Sequence, residues 1–338
     1  MSLRIVLIGY GYWGKNIART LHEAGHLGGI CEPDRSRRAG AGALYLGVPL
    51  YASMDEVVAD PTVDAVAIGT FARTHAALTI QALEAGLDVF VEKPLALTYA
   101  DGERMVDTAD RLGRILMVGH LLEYHPAVLA LERLVRGGEI GRLQYVYSNR
   151  LNLGRFRREE NALWSFAPHD IAVLLRLADA FPIEVAATGG AYLQPNVADV
   201  TVSNLLFNGG LRAHVFVSWL HPFKEQKLVV VGSEKMAVFD DRAPDGEKLL
   251  LYDQGATWVD NVPVPRSGDA VAVPCDGEQP LRVELDHFVD AVQTRVPPPT
   301  DGRSGLRVLQ VLEAAQRSLQ MGGSRVPLAQ PAPPVLTL

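Results

Sequence analysis

Residues 4–16, RIVLIGYGYWGKN, constrain the fold more than any other stretch of the chain. Ile5, Val6, Leu7 and Ile8 form a short apolar block that suits a strand buried on both faces. Gly9, Gly11 and Gly14 follow as G-x-G-x-x-G, and Ile17, Ala18 and Leu21 then recur at helical spacing. Strand, glycines and helix in this order are the context that a dinucleotide-binding turn requires. Gly9 permits the tight turn, Gly11 lets backbone approach a pyrophosphate, and Gly14 lets the helix pack close against the strand. The helix start offers N–H groups and a positive dipole end to phosphates. The next apolar run, Leu27–Cys31, ends in Glu32, 23 residues after Gly9. A carboxylate there accepts hydrogen bonds from the adenosine ribose and repels the extra phosphate of NADP, which favours NAD.

Downstream the alternation continues. Asp34 is placed to cap a helix running to about Leu46, which Gly47 stops. Ser53 and Glu56 form S-x-x-E, a capping box for a short helix. Residues 63–69 read as a strand, 75–85 as a helix ended by Gly86, and 88–91 as a strand. Thr98 caps a helix to Leu112 that Gly113 ends, and 115–119 is one more strand. This is the pattern of a doubly wound parallel sheet, a Rossmann domain over residues 1–120. From His120 the pattern changes. A helix over 127–135 is followed by candidate strands at 143–149, 183–192, 200–207, 211–219, 227–231 and 236–239. They are rich in Val, Thr, Phe and Tyr and joined by polar turns such as Asn208-Gly209-Gly210, which predicts a large, mostly antiparallel sheet in an α+β domain over 121–321. Helices over 282–294 and 305–319 close it, and 322–338, with four prolines, reads as an extended tail.

Composition excludes several classes of function. A net charge of −7 argues against a nucleic-acid or anionic-membrane partner, since both need clustered positive charge. No apolar run reaches the length of a membrane span, and the N-terminus enters a strand directly, leaving no room for a signal peptide. Two cysteines far apart, Cys31 and Cys275, give no disulfide framework and suit a reducing cytoplasm. His22 to His26 match H-E-x-x-H, but Gly25 is expected to end the helix and put His26 in the turn, so no metal site is expected.

Glu92-Lys93-Pro94 follows a strand of the nucleotide domain. Ligands of such sheets bind outside the carboxyl ends of the strands, so Lys93 is expected near the nicotinamide end of the crevice. A lysine there can hydrogen-bond a substrate hydroxyl and stabilise developing alkoxide charge. Pro94 disfavours helix at Lys93. On residue chemistry alone, a solvated surface lysine is an equal reading.

The run DVFVEKPLA, with GYGYWG upstream, resembles the glucose–fructose oxidoreductase/inositol dehydrogenase (Gfo/Idh/MocA) family. The likeness extends to Thr70, Thr74 and His75, to Gly119 and His120 with Tyr124 and Pro126, and to Ala167-Pro168-His169-Asp170. It implies a second domain with an open, mostly antiparallel sheet that also builds dimers or tetramers. It implies that Lys93 is the catalytic lysine and His169 the catalytic histidine. It places Gly9, Gly11, Tyr12, Trp13, Gly14, Glu32, Thr70, His75, Glu92 and Lys93 around NAD, and His120, Tyr124, Arg150, Arg157 and Asp170 around substrate. Imidazole suits removal of the hydroxyl proton near neutral pH. Many members carry Asp four residues before the histidine. Here that position is Ser165, so the usual carboxylate partner is absent or replaced, with Asp170 as a candidate.

Arg150, Arg155, Arg157 and Arg158 form a cluster in an otherwise acidic chain. It suits a diphosphate, and equally a solvated basic loop offset by Glu159 and Glu160. Residues 149–170, with GHLLEYHPAV, resemble the subgroup that oxidises the 3-hydroxyl of UDP-N-acetylglucosamine or related UDP-sugars. That resemblance implies an aminotransferase as the pathway partner that consumes the 3-keto product. Oxidation of a free sugar or inositol, NAD-dependent glycoside hydrolysis and a non-catalytic NAD-binding regulator remain open alternatives.

Overall fold

The computed structural model describes residues 2–158, 160–275 and 277–330. The chain divides into two compact units, Met1–Leu121 with Glu278–Leu309, and Leu122–Gly277 with Gln310–Leu338.

In the first unit, strands and helices alternate as β1 (Ile5–Ile8), α1 (Gly14–Glu23), β2 (Leu27–Cys31), α2 (Arg35–Leu44), β3 (Leu50–Tyr51), α3 (Met54–Val58), β4 (Ala65–Ile68), α4 (His75–Glu84), β5 (Asp88–Glu92), α5 (Tyr99–Leu112) and β6 (Leu116–Gly119). The six strands pair in parallel in the order β3-β2-β1-β4-β5-β6. β1 lies between β2 and β4, and all four of its residues are buried, as a continuous apolar run requires. The strand order reverses at the β1/β4 boundary, where ligands of such sheets bind. Local signals fix the helix ends. The Asp34 carboxylate accepts from the N–H groups of Ser36 (2.9 Å) and Arg37 (2.8 Å) at the start of α2. Thr98 accepts from Asp101 N (3.1 Å) to start α5, and Gly113 ends it in the left-handed region at φ +60°. At α3, Ser53 accepts from Glu56 N (3.3 Å), but the Glu56 carboxylate reaches back to Ala52 N (2.6 Å), one residue earlier than the usual box.

The second unit carries α6 (Pro126–Arg136), β7 (Leu143–Leu153), α7 (Ala162–Ala178), β8 (Glu184–Gly190), β9 (Val200–Leu206), β10 (Arg212–Ser218), β11 (Leu220–Gly232), β12 (Met236–Asp240), β13 (Leu249–Tyr252), a separate hairpin of β14 (Gly255–Val259) and β15 (Val262–Arg266), and β16 (Ala270–Ala272). The chain then forms α8 (Pro280–Thr294) and α9 (Gly302–Gln320), and β17 (Val326–Pro327) completes a nine-stranded sheet ordered β16-β13-β12-β11-β7-β10-β9-β8-β17. One pair, β7 with β10, is parallel, and the others are antiparallel.

Three features depart from the sequence pattern. The contiguous division at residue 120 is corrected: α8 and the first part of α9 belong to the first unit. There Phe288 of α8 packs on Phe90 of β5, with ring centroids 5.9 Å apart. A Cβ on Gly102 of α5 would lie 2.6 Å from the Leu309 side chain of α9, so the glycine admits that helix. Second, the sequence pattern offers no helix between the candidate strands at 143–149 and 183–192, yet α7 lies there, beginning seven residues before His169 and capped by Asn161, whose side chain accepts from Trp164 N (3.2 Å). Third, the expected extended tail contains β17, paired with β8, while residues 331–338 lie outside the described residues.

Asp88 anchors the return of the chain to the first unit. The Arg295 guanidinium donates to both of its oxygens (2.7 and 3.0 Å), and Ile115 N donates to one of them (2.8 Å). Asp88 is buried and Arg295 is partly exposed. Asp88→Ala strands the Ile115 N–H as well as the cation and is expected to cost about 1–3 kcal/mol. Arg295→Ala, whose partner keeps a backbone donor, is expected to cost less in the same urea titration.

Candidate functional site

The glycine loop between β1 and α1 is built by exclusion. Gly9 adopts φ +95°, and a Cβ there would lie 2.7 Å from the Thr70 methyl. A Cβ on Gly14 would lie 2.0 Å from the Gly9 carbonyl oxygen, so only glycine lets α1 start this close to the turn. Gly11 is different: a Cβ there would meet nothing within 4 Å, leaving a clear face toward a ligand. Trp13 stands at the N-cap of α1 with no side-chain cap, and the first turn holds no acidic residue; Lys15 N and Asn16 N bond to the Gly11 and Trp13 carbonyls (3.3 and 2.8 Å), and the positive dipole end is left for an anion. Tyr12 is 77% exposed at this loop.

Glu32 ends the chain's path along β2 as a buried carboxylate. Its Oε2 accepts from Tyr10 N (2.9 Å) and its Oε1 from Asp34 N (3.0 Å), with Arg37 3.6 Å away. These bonds fix the carboxylate and leave acceptor capacity for hydroxyls, since each oxygen takes two. Loop, helix start and Glu32 together fit a dinucleotide, with the pyrophosphate at the glycines and the adenosine ribose at Glu32.

At the carboxyl ends of β5 and β6, Glu92 pairs with Gly119 in register. Lys93 and His120 are the first residues beyond the two strands. Glu92 accepts from the Trp13 indole N–H and, through its other oxygen, from Lys93 N (3.2 Å). This joins the glycine loop to the lysine loop. Gly119 makes room for the carboxylate, because a Cβ there would lie 3.2 Å from it. Desolvation pushes the Glu92 carboxyl up to about 7, against the opposing pull of the Lys93 ammonium and the Trp13 hydrogen bond. The Lys93–Pro94 peptide is cis. His75, expected at the cofactor, is buried with Nδ1 2.8 Å from Pro94 O and Nε2 3.3 Å from Thr70 O. Burial holds it neutral, so it has one N–H to donate, which the shorter distance assigns to the Pro94 carbonyl. Its role is to hold the lysine loop against the Thr70 loop, where the Thr70 and Thr74 hydroxyls also pair at 2.7 Å.

In the second unit Arg150 takes an internal role instead of reaching a diphosphate. Its Nε and Nη2 donate to the two Asp170 oxygens (2.7 and 3.2 Å). In the amide orientation that satisfies both of its neighbours, Gln226 accepts from Arg150 Nη1 (3.0 Å) and donates to Asp241 (2.8 Å). Ser148 Oγ also donates to Asp170 (2.6 Å). Asp170 is thereby committed to Arg150 and Ser148, which corrects its candidacy as the histidine's partner. As adjacent residues of α7, His169 and Asp170 also face different directions. Ser165 lies on the His169 face of α7, one turn earlier. Tyr124, expected at substrate, is 2% exposed. Arg155, Arg157 and Arg158 are exposed, with Arg157 3.5 Å from Glu160, while Glu159 lies outside the described residues. The Trp13–Glu92 link and the Ser148–Asp170–Arg150–Gln226 network were not read from the sequence, because each joins residues distant in the chain without a local motif. Of the H-e-x-x-h histidines, His22 packs on Tyr45, and His26 lies beyond α1, where Leu3 N donates to its Nδ1 (3.1 Å).

Residues 3–120 match the model of an oxidoreductase family with an NAD-binding Rossmann fold, and residues 128–238 match the GFO/IDH/MocA C-terminal domain. The chain belongs to the Gfo/Idh/MocA family. It is an NAD-binding oxidoreductase of the class that acts on CH–OH groups. The UDP-N-acetylglucosamine 3-dehydrogenase of Acidithiobacillus ferrooxidans is 27% identical over 325 residues, 95% of this chain and 99% of the relative. A solved structure of that enzyme superposes with a TM-score of 0.83 at 26% identity, covering 95% of this chain and 99% of that one. Inositol 2-dehydrogenase 2 of Saccharopolyspora erythraea is 32% identical over 158 residues, 46% of this chain and 47% of the relative. The fold is shared with the WlbA dehydrogenase from Bordetella pertussis in complex with NADH and UDP-GlcNAcA, with a TM-score of 0.79 at 23% identity, covering 98% of this chain and 100% of that one. Among the described residues, no helix is long and apolar enough to cross a membrane.

Two outcomes are expected. Glu32→Gln, which keeps the shape but loses the charge, should reduce the preference for NAD over NADP about tenfold in paired binding titrations. Glu92 binds its proton more tightly folded than unfolded, so between its ordinary pKa of 4.5 and about 7 folding stability falls as pH rises. Glu92→Gln removes this slope, so its melting temperature should improve relative to the parent at pH 8 compared with pH 5.

Proposed function

We propose that this oxidoreductase acts on a nucleotide-linked sugar, oxidising the 3-hydroxyl of UDP-N-acetylglucosamine or a related UDP-sugar to the 3-keto sugar. The observation that carries the chemistry is the placement of Lys93. It leaves the carboxyl end of β5 on a loop whose neighbour, Glu92, is hydrogen-bonded to Trp13 of the glycine loop. The substrate class is supported by likeness over 95% of this chain to an enzyme named for that substrate.

Oxidation of a secondary alcohol removes a hydride from carbon and a proton from oxygen. Bound NAD supplies the hydride acceptor. In this reading Lys93 donates a hydrogen bond to the reacting oxygen and stabilises negative charge as it develops there. His169 accepts the hydroxyl proton. The internal commitment of Arg150 leaves Arg155, Arg157 and Arg158, on the exposed loop after β7, as the groups proposed to hold the diphosphate. The 3-keto product is the substrate type for an aminotransferase, which is the proposed pathway partner. The assembly is proposed to be a homodimer or homotetramer formed through the open sheet, working in the cytoplasm, where Cys31 and Cys275 remain free thiols.

Lys93→Ala should leave the NAD dissociation constant within about threefold while kcat/KM falls roughly 10²–10⁴-fold, the range of a lost proton-transfer or oxyanion group. Turnover close to that of the parent would remove Lys93 from the chemistry. The substrate is tested by NADH absorbance with NAD and a panel of UDP-sugars, in the presence of glutamate and a 3-keto-sugar aminotransferase that draws off product. Signal with UDP-N-acetylglucosamine, and none with free glucose or inositol, is expected. The reverse result would replace the nucleotide sugar with a free sugar or cyclitol and return the arginine loop to solvent.

A further inference from the structure

The loop after β7 carries an aromatic side chain among its cations. Residues 155–158 read Arg-Phe-Arg-Arg, and all four are exposed. The segment is nevertheless held on both sides of the ring. Two residues before Phe156, Gly154 N donates to Trp219 O (3.3 Å); one residue after it, Gln194 Nε2 donates to Arg157 O (2.9 Å). The Phe156 ring meets the Trp219 ring edge to face, with centroids 6.4 Å apart and planes at 76°. Trp219 is fully buried, and its indole N–H donates to the buried Asp199, whose carboxylate also accepts from Tyr192 N (2.6 Å) and Leu193 N (2.9 Å). A buried network thus fixes where Phe156 stands, while 47% of the residue stays in water. Covering Trp219 calls only for an apolar side chain, and one left this exposed forgoes much of the gain of burial. A ring among guanidinium groups has a further chemical use. The guanidinium groups suit the oxygens of a diphosphate, and the ring suits a planar base that stacks on it.

We propose that Phe156 is a specificity-determining residue on which the base of the nucleotide sugar stacks. This rests on the nucleotide-sugar function proposed above and adds to it recognition of the base, which neither Lys93 nor the arginines supply. Base and diphosphate belong to one small molecule, and the ring and the arginines belong to one four-residue segment. Every base presents a π face, so stacking tolerates different bases. Phe156 therefore favours a nucleotide-linked sugar over a free one, which has no base to stack, and does not choose among nucleotides.

The test compares the full-length parent with Phe156→Leu, which keeps an apolar cover on Trp219, and Phe156→Tyr, which keeps the ring. Calorimetry of the NADH-saturated protein gives affinities for UDP and for UDP-N-acetylglucosamine, and affinity for NADH and melting temperature are measured alongside. For Phe156→Leu, both uridine ligands should bind roughly 5- to 100-fold more weakly, the range for loss of one stacked base. NADH affinity and melting temperature should stay close to those of the parent, and Phe156→Tyr should restore most of the lost affinity. Phe156→Met replaces the leucine variant if that one does not fold. Unchanged UDP affinity in Phe156→Leu, or equal losses in the leucine and tyrosine variants, would overturn the inference and leave Phe156 as a cover for Trp219. A loss confined to UDP-N-acetylglucosamine, with UDP unaffected, would also overturn it, since the ring would then meet the sugar and not the base. If the parent binds NADH but neither uridine ligand, the nucleotide-sugar function itself fails, and this inference with it.

Discussion

A Cβ on Gly14 would lie 2.0 Å from the Gly9 carbonyl, and much of the first unit depends on that steric fact. Because both positions are glycine, α1 begins directly against the end of β1, and its first N–H groups are left without a side-chain cap. The same turn carries Trp13 to where its indole can donate to Glu92, two strands away in the sheet. One close backbone approach therefore sets both the anion-binding helix start and the position of the loop that bears Lys93. His75 secures that loop from the other side through the Pro94 carbonyl, so Lys93 sits on backbone fixed at its preceding residue and at its following one.

The second unit handles charge differently. Arg150 and Asp170 form a largely buried pair whose remaining bonding capacity is taken up by Ser148 and Gln226. Buried ion pairs are retained most readily when every lone pair and N–H is satisfied, and this one comes close to that condition. Its effect is positional. It pins β7 to α7 at the residue next to His169, so the helix face that carries the histidine is set by a neighbour that does not itself face the same way.

Much of this architecture was legible in the chain. The glycine spacing, Glu32 and the capping residues Asp34, Ser53 and Thr98 are local signals, and local hydrogen bonds or sterics act on them directly. α7 was not read as a helix because Pro168 interrupts its interior and the apolar residues surround it almost completely, which erases amphipathic periodicity. The parallel pairing of β7 with β10 was also hidden, because strand composition does not encode a partner. The fate of Arg150 turned on Asp170 and Gln226, 20 and 76 residues further along, beyond the reach of any motif. A basic cluster in sequence proved to be one structural cation and three surface ones.

The order in which the chain visits its units has a consequence for their modularity. The first unit is completed by residues 278–309, after an excursion through residues 122–277, and the boundary back to the second unit falls within α9. The nucleotide-binding part is in this sense a host carrying an insertion. A stop codon after β6 would release a Rossmann sheet stripped of the Phe288 contact and of Arg295, with Asp88 left only the Ile115 N–H. During synthesis, the N-terminal strands emerge long before the helices that complete their cover, so the first unit can close only after residues 278–309 have been made.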